Sequence, residues 1–453
     1  MSSTSRTLAQ SFTALRRRGA ALIGAAALVA SLGAASSVQA QDTVTLHFTW
    51  YNDGQEGQIL RGLLDKFEAA NPTVKVVLDV VAFKDLHTTL SAQVIAGQGP
   101  DLARETAPQL YYGNLLDLTP YLKDPAAFKA AYPAADFDVL AGPQTGLTGF
   151  PLDTTSSGMF VNETLFKKAG VAIPSDSNPK ATWEQWVDAA TKIRDAAGVP
   201  YAIAIDRSGH RWFSMVLSYG GHIVGPDGKF TIDTPGFRQA AAQLLSWHSN
   251  SLIPLEVWAG SGSGYAAATD YFINQQLPVY YAGSWQVSNF DKVIGSKFDW
   301  KAVPTPCETV CSAMPGGTFV LAFKSSQHPK EVGALVDYLT SPDVASQYAV
   351  AAPALPARLD LAKAGLKYPS RSDDLNVFLK NIAEMPNEAF ALQNNALINQ
   401  VNFETRDRLS QVIVGEITLD TAIKDIQQKM DTLQAQGPAM PTAAATMAAT
   451  STK

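Results

Sequence analysis

The chain has 453 residues, 46% of them hydrophobic and 17% charged, and a formal net charge of −6. That is an ordinary globular composition, long enough for two or three domain-sized units with a core each. Outside the extreme N-terminus no basic stripe occurs, which argues against a nucleic-acid partner.

The first feature in chain order is a secretory signal. Arg6 and Arg16-Arg17-Arg18 precede an apolar stretch from Ala20 to about Leu32, and small residues lead to Val38-Gln39-Ala40. This order predicts export to the periplasm with cleavage near Ala40. The apolar run is short for a membrane span, and no Cys stands at the cleavage site to take a lipid.

The mature part opens with a strand, in which Val44, Leu46, Phe48 and Trp50 alternate with Thr45, His47 and Thr49. The loop Tyr51-Asn52-Asp53-Gly54 leads into a helix from about Gln55 to Ala70, striped by Leu60, Leu63, Leu64 and Phe67. The apolar run Val74 to Val80 predicts a strand in a sheet covered on both faces. A second helix, capped by Asp85, ends at Gly97-Gln98-Gly99-Pro100, and Asp101-Leu102-Ala103 starts another strand. Such alternation predicts an α/β fold with a parallel sheet. It continues with a strand over Gly158 to Asn162, a helix capped by Thr182, and strands at Tyr201 to Ile205, Pro278 to Ala282 and Thr318 to Phe323. The stretch from about Asp373 to Gln434 reads as mostly helical, and the Pro/Ala/Thr/Met tail from Gly437 as disordered.

Catalytic signatures are scarce. Neither a Gly-x-Ser-x-Gly elbow, a His-Glu-x-x-His helix nor a Walker A loop occurs, so no cofactor, metal or catalytic residue is expected. The two cysteines, Cys307 and Cys311, read as a local disulfide in an exported protein; zinc would need two more ligands, and no His lies close in sequence. Tryptophans stand at predicted strand ends and helix starts. Flat aromatic surface beside Asp, Asn, Glu and Arg suits a sugar, whose C–H faces are apolar and whose rim is polar.

The chain is similar to the extracellular solute-binding proteins of ABC importers, of the maltose, trehalose and multiple-sugar type. The most specific segment is Gly158-Met159-Phe160-Val161-Asn162-Glu163-Thr164-Leu165-Phe166-Lys167-Lys168-Ala169-Gly170, followed by Pro174 and Thr182-Trp183-Glu184-Gln185-Trp186. The family reads Tyr-Asn-Lys-x-Leu-Phe-x-Lys-Ala-Gly, so Val161 and Glu163 depart from it. Gly99-Pro100-Asp101-Leu102, Ala282-Gly283-Ser284-Trp285, Pro315-Gly316-Gly317-Thr318, Leu339-Thr340-Ser341-Pro342 and Leu355-Pro356-Ala357-Arg358 resemble further family segments in the same order. The resemblance implies an α/β, two-lobed periplasmic-binding-protein fold of the Venus-flytrap, type II-like kind, with hinge crossovers. By analogy the N-lobe is about 42–150 plus 303–355 and the C-lobe about 151–302 plus 356–436.

A small carbohydrate ligand, the permease subunits of an ABC importer and a monomeric state are the implied partners. Ligand contact is expected at Asn52, Asp53, Arg104, Glu105, Asp153, Trp212, Trp258, Trp285, Gly316, Gly317 and Arg358. For several of them a structural role stands beside the functional one. Asn52 and Asp53 would also make a turn and helix cap, Arg104 and Glu105 a charge pair, Asp153 a hinge cap, and Gly316 and Gly317 a turn. Trp285 is the expected stacking platform, whereas Trp50, Trp183, Trp186, Trp247 and Trp300 read as core. Two other readings compete: the same fold holding a glycerol phosphate, polyamine or peptide, which a strongly basic or acidic cleft would favour, and a secreted glycan hydrolase.

Overall fold

The computed structural model describes residues 43–142, 146–225, 227–260 and 264–436. The expected signal segment and C-terminal tail lie outside them. The described strands are β1 (Val44–Trp50), β2 (Val74–Val80), β3 (Leu102–Glu105), β4 (Gly149–Asn162), β5 (Ile203–Ile205), β6 (Val279–Gly283), β7 (Trp300–Val303), β8 (Pro315–Ala322) and β9 (Leu355–Pro356). They pair in the order β2-β1-β3-β8-β4-β6-β5, with β7 and β9 also against β4. β1 runs parallel to β2 and β3, and β5 parallel to β6; β8 and β4 run antiparallel to their neighbours.

The alternation in β1 does what its period demands: Leu46, Phe48 and Trp50 are buried, Thr45 and His47 exposed. The continuous apolar run of β2 behaves otherwise. β2 pairs with β1 alone, and Val77 and Val80 face solvent, so this strand is an edge and not the centre of a doubly covered sheet. Lys75 and Asp79 lie exposed beside them and blunt the edge.

Two hydrophobic cores form on this frame. The first gathers Leu46, Phe48, Trp50, Leu64 and Phe67 with Leu321 and Val336. The second gathers Phe160, Trp183, Trp186, Tyr281 and Phe290 with Leu409, Ile426 and Met430 of the C-terminal helices. Val303, Ala313 and Met314 pack in the second core. These are the two lobes of the expected fold.

β4 serves both. Its residues Gly149–Ser156 pair with β8, and Ser157–Val161 with β6. The strand is much longer than the expected Gly158–Asn162, because Pro151 and the polar run Asp153–Ser157 hide its first half. Pro151 has no N–H to donate, and the ladder shifts register between Pro151 and Asp153. Beside this shift β9 joins β4 at Asp153 and Thr154. β4 and β8 therefore cross between the cores side by side, with β9 against them.

The family-like segment is a self-contained helix cassette. Asn162 caps the helix Glu163–Ala169 by accepting from Leu165 N, and Gly170, at φ 66°, ends it in the left-handed conformation. Thr182 and Gln185 then form a capping box for the helix Trp183–Ala197.

Cys307 and Cys311 form the expected disulfide. Its loop is a clasp. Cys307 N donates to Ala181 O at 3.0 Å, the Glu308 carboxylate accepts from Trp183 N at 2.8 Å, and Thr309 N donates to Ser218 O at 2.9 Å. A loop this small restricts the unfolded chain by only about 2 kcal/mol. Reduction is expected to lower the melting temperature by a few degrees and leave the far-ultraviolet circular dichroism unchanged. Loss of cooperative melting on reduction would show instead that the bond holds the fold.

Candidate ligand-binding cleft

The cleft forms where strands end. β1 delivers Tyr51 to Glu56, β3 delivers Arg104, β5 leads into Asp206, and β6 into Ser284 and Trp285. Ligands in open α/β sheets bind outside such carboxyl ends.

On the first lobe the loop after β1 is wound around its own side chains. Asn52 Oδ1 accepts from Trp50 Nε1 at 3.0 Å and Gly57 N at 2.7 Å. One Glu56 oxygen accepts from Asp53 N at 3.1 Å and Gly54 N at 2.6 Å. Asn52 thus acts as a cap. Arg104, only 2% exposed, lies with its guanidinium 4.1 Å from the Tyr51 ring centre and 5.0 Å from that of Trp50. It donates to Tyr51 O at 2.9 Å and Asp53 Oδ2 at 3.2 Å, and comes within 3.6 Å of Asp153 Oδ2. Asp153 Oδ1 accepts from Thr318 N at 3.1 Å, so it braces the crossing strands and faces Arg104 at once.

Burial raises the Asp53 carboxyl to about 6; Glu56 and Asp153 add repulsion that Arg104 opposes. Asp153 is raised too, again by burial first. Arg104 stays firmly charged, with Asp53 and Asp153 among the groups holding its proton against burial.

The second lobe offers a mirrored arrangement. Arg211 lies 4.1 Å from the centre of the Trp285 ring and 5.4 Å from that of Tyr265. Its Nε comes within 3.5 Å of Asp206, which also accepts from Tyr265 Oη at 2.9 Å, Tyr280 Oη at 2.5 Å and Ala268 N at 2.9 Å. Next to Arg211, His210 is pushed down to about 4, by burial first and Arg211 second, so it is neutral near pH 7. Its Nε2 lies 3.0 Å from Pro315 O in the crossing segment.

The lobes meet around this site. The rings of Phe83 and Tyr265 approach to 5.5 Å, those of His87 and Phe403 to 6.3 Å, and Asn399 Nδ2 donates to Gln109 Oε1 at 3.1 Å. They leave a cavity of about 20 Å³, lined by Asp53, Glu56, Arg104, Asp153, Thr155, Ser284, Trp285 and residues 352–355. That is room for about one water, so a guest enters only where the lobes part.

The expected contacts divide sharply. Asp53, Arg104, Asp153 and Trp285 come together at the cavity. Trp212 and Trp258 do not: both are fully buried, Trp212 edge-on to Phe237 at 4.5 Å and Trp258 donating to Ile205 O at 3.0 Å. One residue along a helix turns a side chain by about 100°, so the step that sends Arg211 to the cleft sends Trp212 to the core. Glu105 is 0% exposed and spent on Thr106 N, Ala107 N and Tyr111 Oη, with His87 Nδ1 at 3.2 Å, so its neighbour is not Arg104 and its oxygens face inward. Arg358 forks onto Asp360 and donates to Thr340 O, beside an apolar cavity inside the first lobe and away from the cleft. Gly316 and Gly317 serve strand packing. A Cβ on Gly316 would sit 2.7 Å from Thr155 Oγ1, and one on Gly317 2.8 Å from Asp153 O. Arg211, Tyr265, Glu56, Thr155 and Ser284 escaped the sequence reading; only the placement of Arg211 beside Trp212 hinted at any of them.

Two measurements follow from this geometry. Trp212→Ala and Trp258→Ala are expected to destabilise by about 3–5 kcal/mol through core loss, whereas Trp285→Ala leaves melting nearly unchanged and weakens ligand binding; equal losses of stability at all three would refute the division. Asp53 holds its proton more tightly folded than unfolded, where its value is 3.8. Its contribution is therefore favourable at low pH and is lost as pH rises from about 4 to about 6. Relative to wild type, Asp53→Asn should gain stability across that window in denaturant titrations, and a pH-independent difference would refute it.

Sequence and structure comparisons agree. The profile of the family "Bacterial extracellular solute-binding protein" matches residues 51–346. The multiple sugar-binding protein of Streptococcus mutans is 23% identical over 338 residues, covering 69% of this chain and 75% of its own. The putative ABC transporter periplasmic-binding protein YcjN of Escherichia coli is 22% identical over 418 residues, covering 86% and 93%. Among solved structures, the substrate-binding protein Lmo0181 of Listeria monocytogenes in complex with cycloalternan aligns with a TM-score of 0.73 at 20% identity, over 87% of this chain and all of its own. Maltose-bound MalE3 of T. maritima aligns with a TM-score of 0.72 at 20% identity, over 86% of this chain and all of its own. Among the described residues no helix is long and apolar enough to cross a membrane. With a match over well more than half its length and the two-lobed fold in place, the chain belongs to the bacterial extracellular solute-binding protein family.

Proposed function

We propose that this protein is the exported substrate-binding subunit of an ABC importer, which captures a small sugar or oligosaccharide between its lobes by hinge closure and hands it to the permease subunits. The observation that carries the reading is the cavity between the lobes, where carboxylates, a guanidinium and an indole converge. A hydroxyl-rich guest needs acceptors and donors around its rim and an aromatic surface at its face, since each unpaired buried polar group costs about 1–3 kcal/mol. Guest contacts with both lobes favour the closed state, which is the state a permease would read. The binding of cycloalternan and maltose by structural neighbours supports a saccharide guest. The basic and apolar N-terminal segment supports export through a signal cleaved near Ala40.

The path of β4 supports the expected boundary near 150, whereas Ala357 in the first core, Leu359 N on Ala131 O and Arg358 on Thr340 O support a second boundary beyond Leu361 and not at 355–356. Packing of Val303, Ala313 and Met314 in the second core supports a return crossing near Pro315 and not near 303. Of the contacts expected from the sequence, Asp53, Arg104, Asp153 and Trp285 remain as guest-binding residues; Thr155, Ser284 and Arg211 join them.

Among non-sugar guests the charge of the site discriminates. The cavity is lined by three carboxylates and one guanidinium, which disfavours a glycerol phosphate. A thermal-shift screen of the mature protein against mono- and disaccharides, polyols and their phosphates tests the reading. A saccharide should raise the melting temperature by mass action and change tryptophan fluorescence, without product appearing. A response confined to phosphates or peptides, or turnover of a glycan, would overturn it.

A further inference from the structure

Aromatic rings on both sides of the cleft lie close to a guanidinium. Tyr51 and Trp50 carry Arg104, whereas Trp285 and Tyr265 carry Arg211. The two guanidinium groups are not held alike. Arg104 donates directly to a carbonyl and a carboxylate. Arg211 is held more loosely: Asp206 lies at 3.5 Å, and Nη1 reaches Ser208 Oγ at 3.3 Å, while the Nε of both arginines is buried without a hydrogen bond among the described residues. Yet this loosely held charge lies 4.1 Å from the centre of the indole that lines the cavity.

The acids face the same space. Asp53, Glu56 and Asp153 line the cavity, and Arg104 is the one basic side chain among the lining residues. Glu56 commits one oxygen to backbone donors, and Asp53 one to Arg104. Fully ionised, the lining carries three carboxylates against one guanidinium, and burial first, with repulsion from Glu56 and Asp153 behind it, raises the Asp53 carboxyl. An indole face under a guanidinium, beside surplus carboxylate, is a cation site that the protein fills with its own side chain.

We propose that Arg211 stands in for a protonated amine on the natural guest, so that the ligand is a small amino saccharide whose ammonium group takes the face of Trp285 against Asp53 and Asp153. The inference rests on the saccharide reading given above. The ammonium displaces Arg211 from the indole, and Arg211 keeps Asp206 as its counterion. Hydroxyls of the sugar then meet Thr155, Ser284 and the remaining carboxylate oxygens.

Matched probes test it on the mature full chain by calorimetry and thermal shift at pH 7.5. Glucosamine is compared with glucose and N-acetylglucosamine. The deacetylated chitobiose dimer is compared with cellobiose and N,N′-diacetylchitobiose, and spermidine serves as an amine without a sugar. An ammonium over a desolvated indole is worth about tenfold in affinity, so the amino sugar of at least one set should bind about tenfold tighter than its neutral partners. Asp53→Asn should collapse that ratio towards unity. Arg211→Met, which keeps the apolar stem and removes the competing charge, should tighten the amino sugar and not the neutral one. Cooperative melting of both variants confirms their fold, and the wild-type ratio stands without them. Neutral sugars binding as tightly as their amines would overturn the inference and leave the saccharide reading intact. Spermidine binding alone would overturn the saccharide reading and leave the amine site. No response to any probe of either size would overturn both.

Discussion

A guanidinium taken out of water must be surrounded by acceptors, and Arg104 arranges the cleft around that demand. Its partners come from separate places in the chain: the Tyr51 carbonyl and Asp53 from the loop after β1, and Asp153 from the strand that crosses between the lobes. A buried charge left without its partners costs about 3–5 kcal/mol, so the loop, the strand end and the crossing are tied to one another through a single side chain. The same charge allows three carboxylates to crowd one small cavity. Guest recognition and hinge geometry are therefore not independent properties. A guest that draws on Asp53 or Asp153 acts on the group that braces the crossing strand.

The second lobe solves the same problem with different material. Asp206 at the end of β5 accepts from two tyrosine hydroxyls and a backbone N–H, with Arg211 its most distant partner at 3.5 Å. Tyrosine hydroxyls bind a buried carboxylate without adding charge. The arrangement therefore holds Asp206 without a direct hydrogen bond from Arg211.

Much of the architecture was legible before any coordinates. The alternation in β1, the capped helix from Asn162 to Gly170 and the Thr182 capping box are local signals, and local signals survive folding. What failed depended on the other side of a strand or helix. β2 reads as apolar throughout, but its exposure is set by the lack of a neighbour beyond it, which its own residues cannot announce. The first half of β4 is masked by Pro151 and by hydroxyl residues whose partners lie far away in β8 and β9. The site divided on the same line. Asp53, Arg104 and Trp285 follow strand ends and were found by position. Trp212 and Trp258 also stand near predicted strand ends and helix starts, but a tryptophan is as ready to fill a core as to line a cleft. Arg211 was passed over because its rotation on the helix, and not its identity, brings it to the indole. Glu105 shows the converse, a charged residue next to the site whose oxygens turn to Tyr111 and the backbone.

The clasp closed by Cys307 and Cys311 bears on how such a molecule bends. It is bound to two helices of the second lobe, and a few residues later Met314 is sewn to Ser157 through both its N–H and its carbonyl. The chain thus stays moored to one side until Pro315, where it enters β8 and leaves for the other. A tether fixed so close to the point of departure acts as a fulcrum: any swing must be absorbed over the short span beyond it. Slackening the mooring would lengthen the lever and blur the angle at which the jaws come to rest.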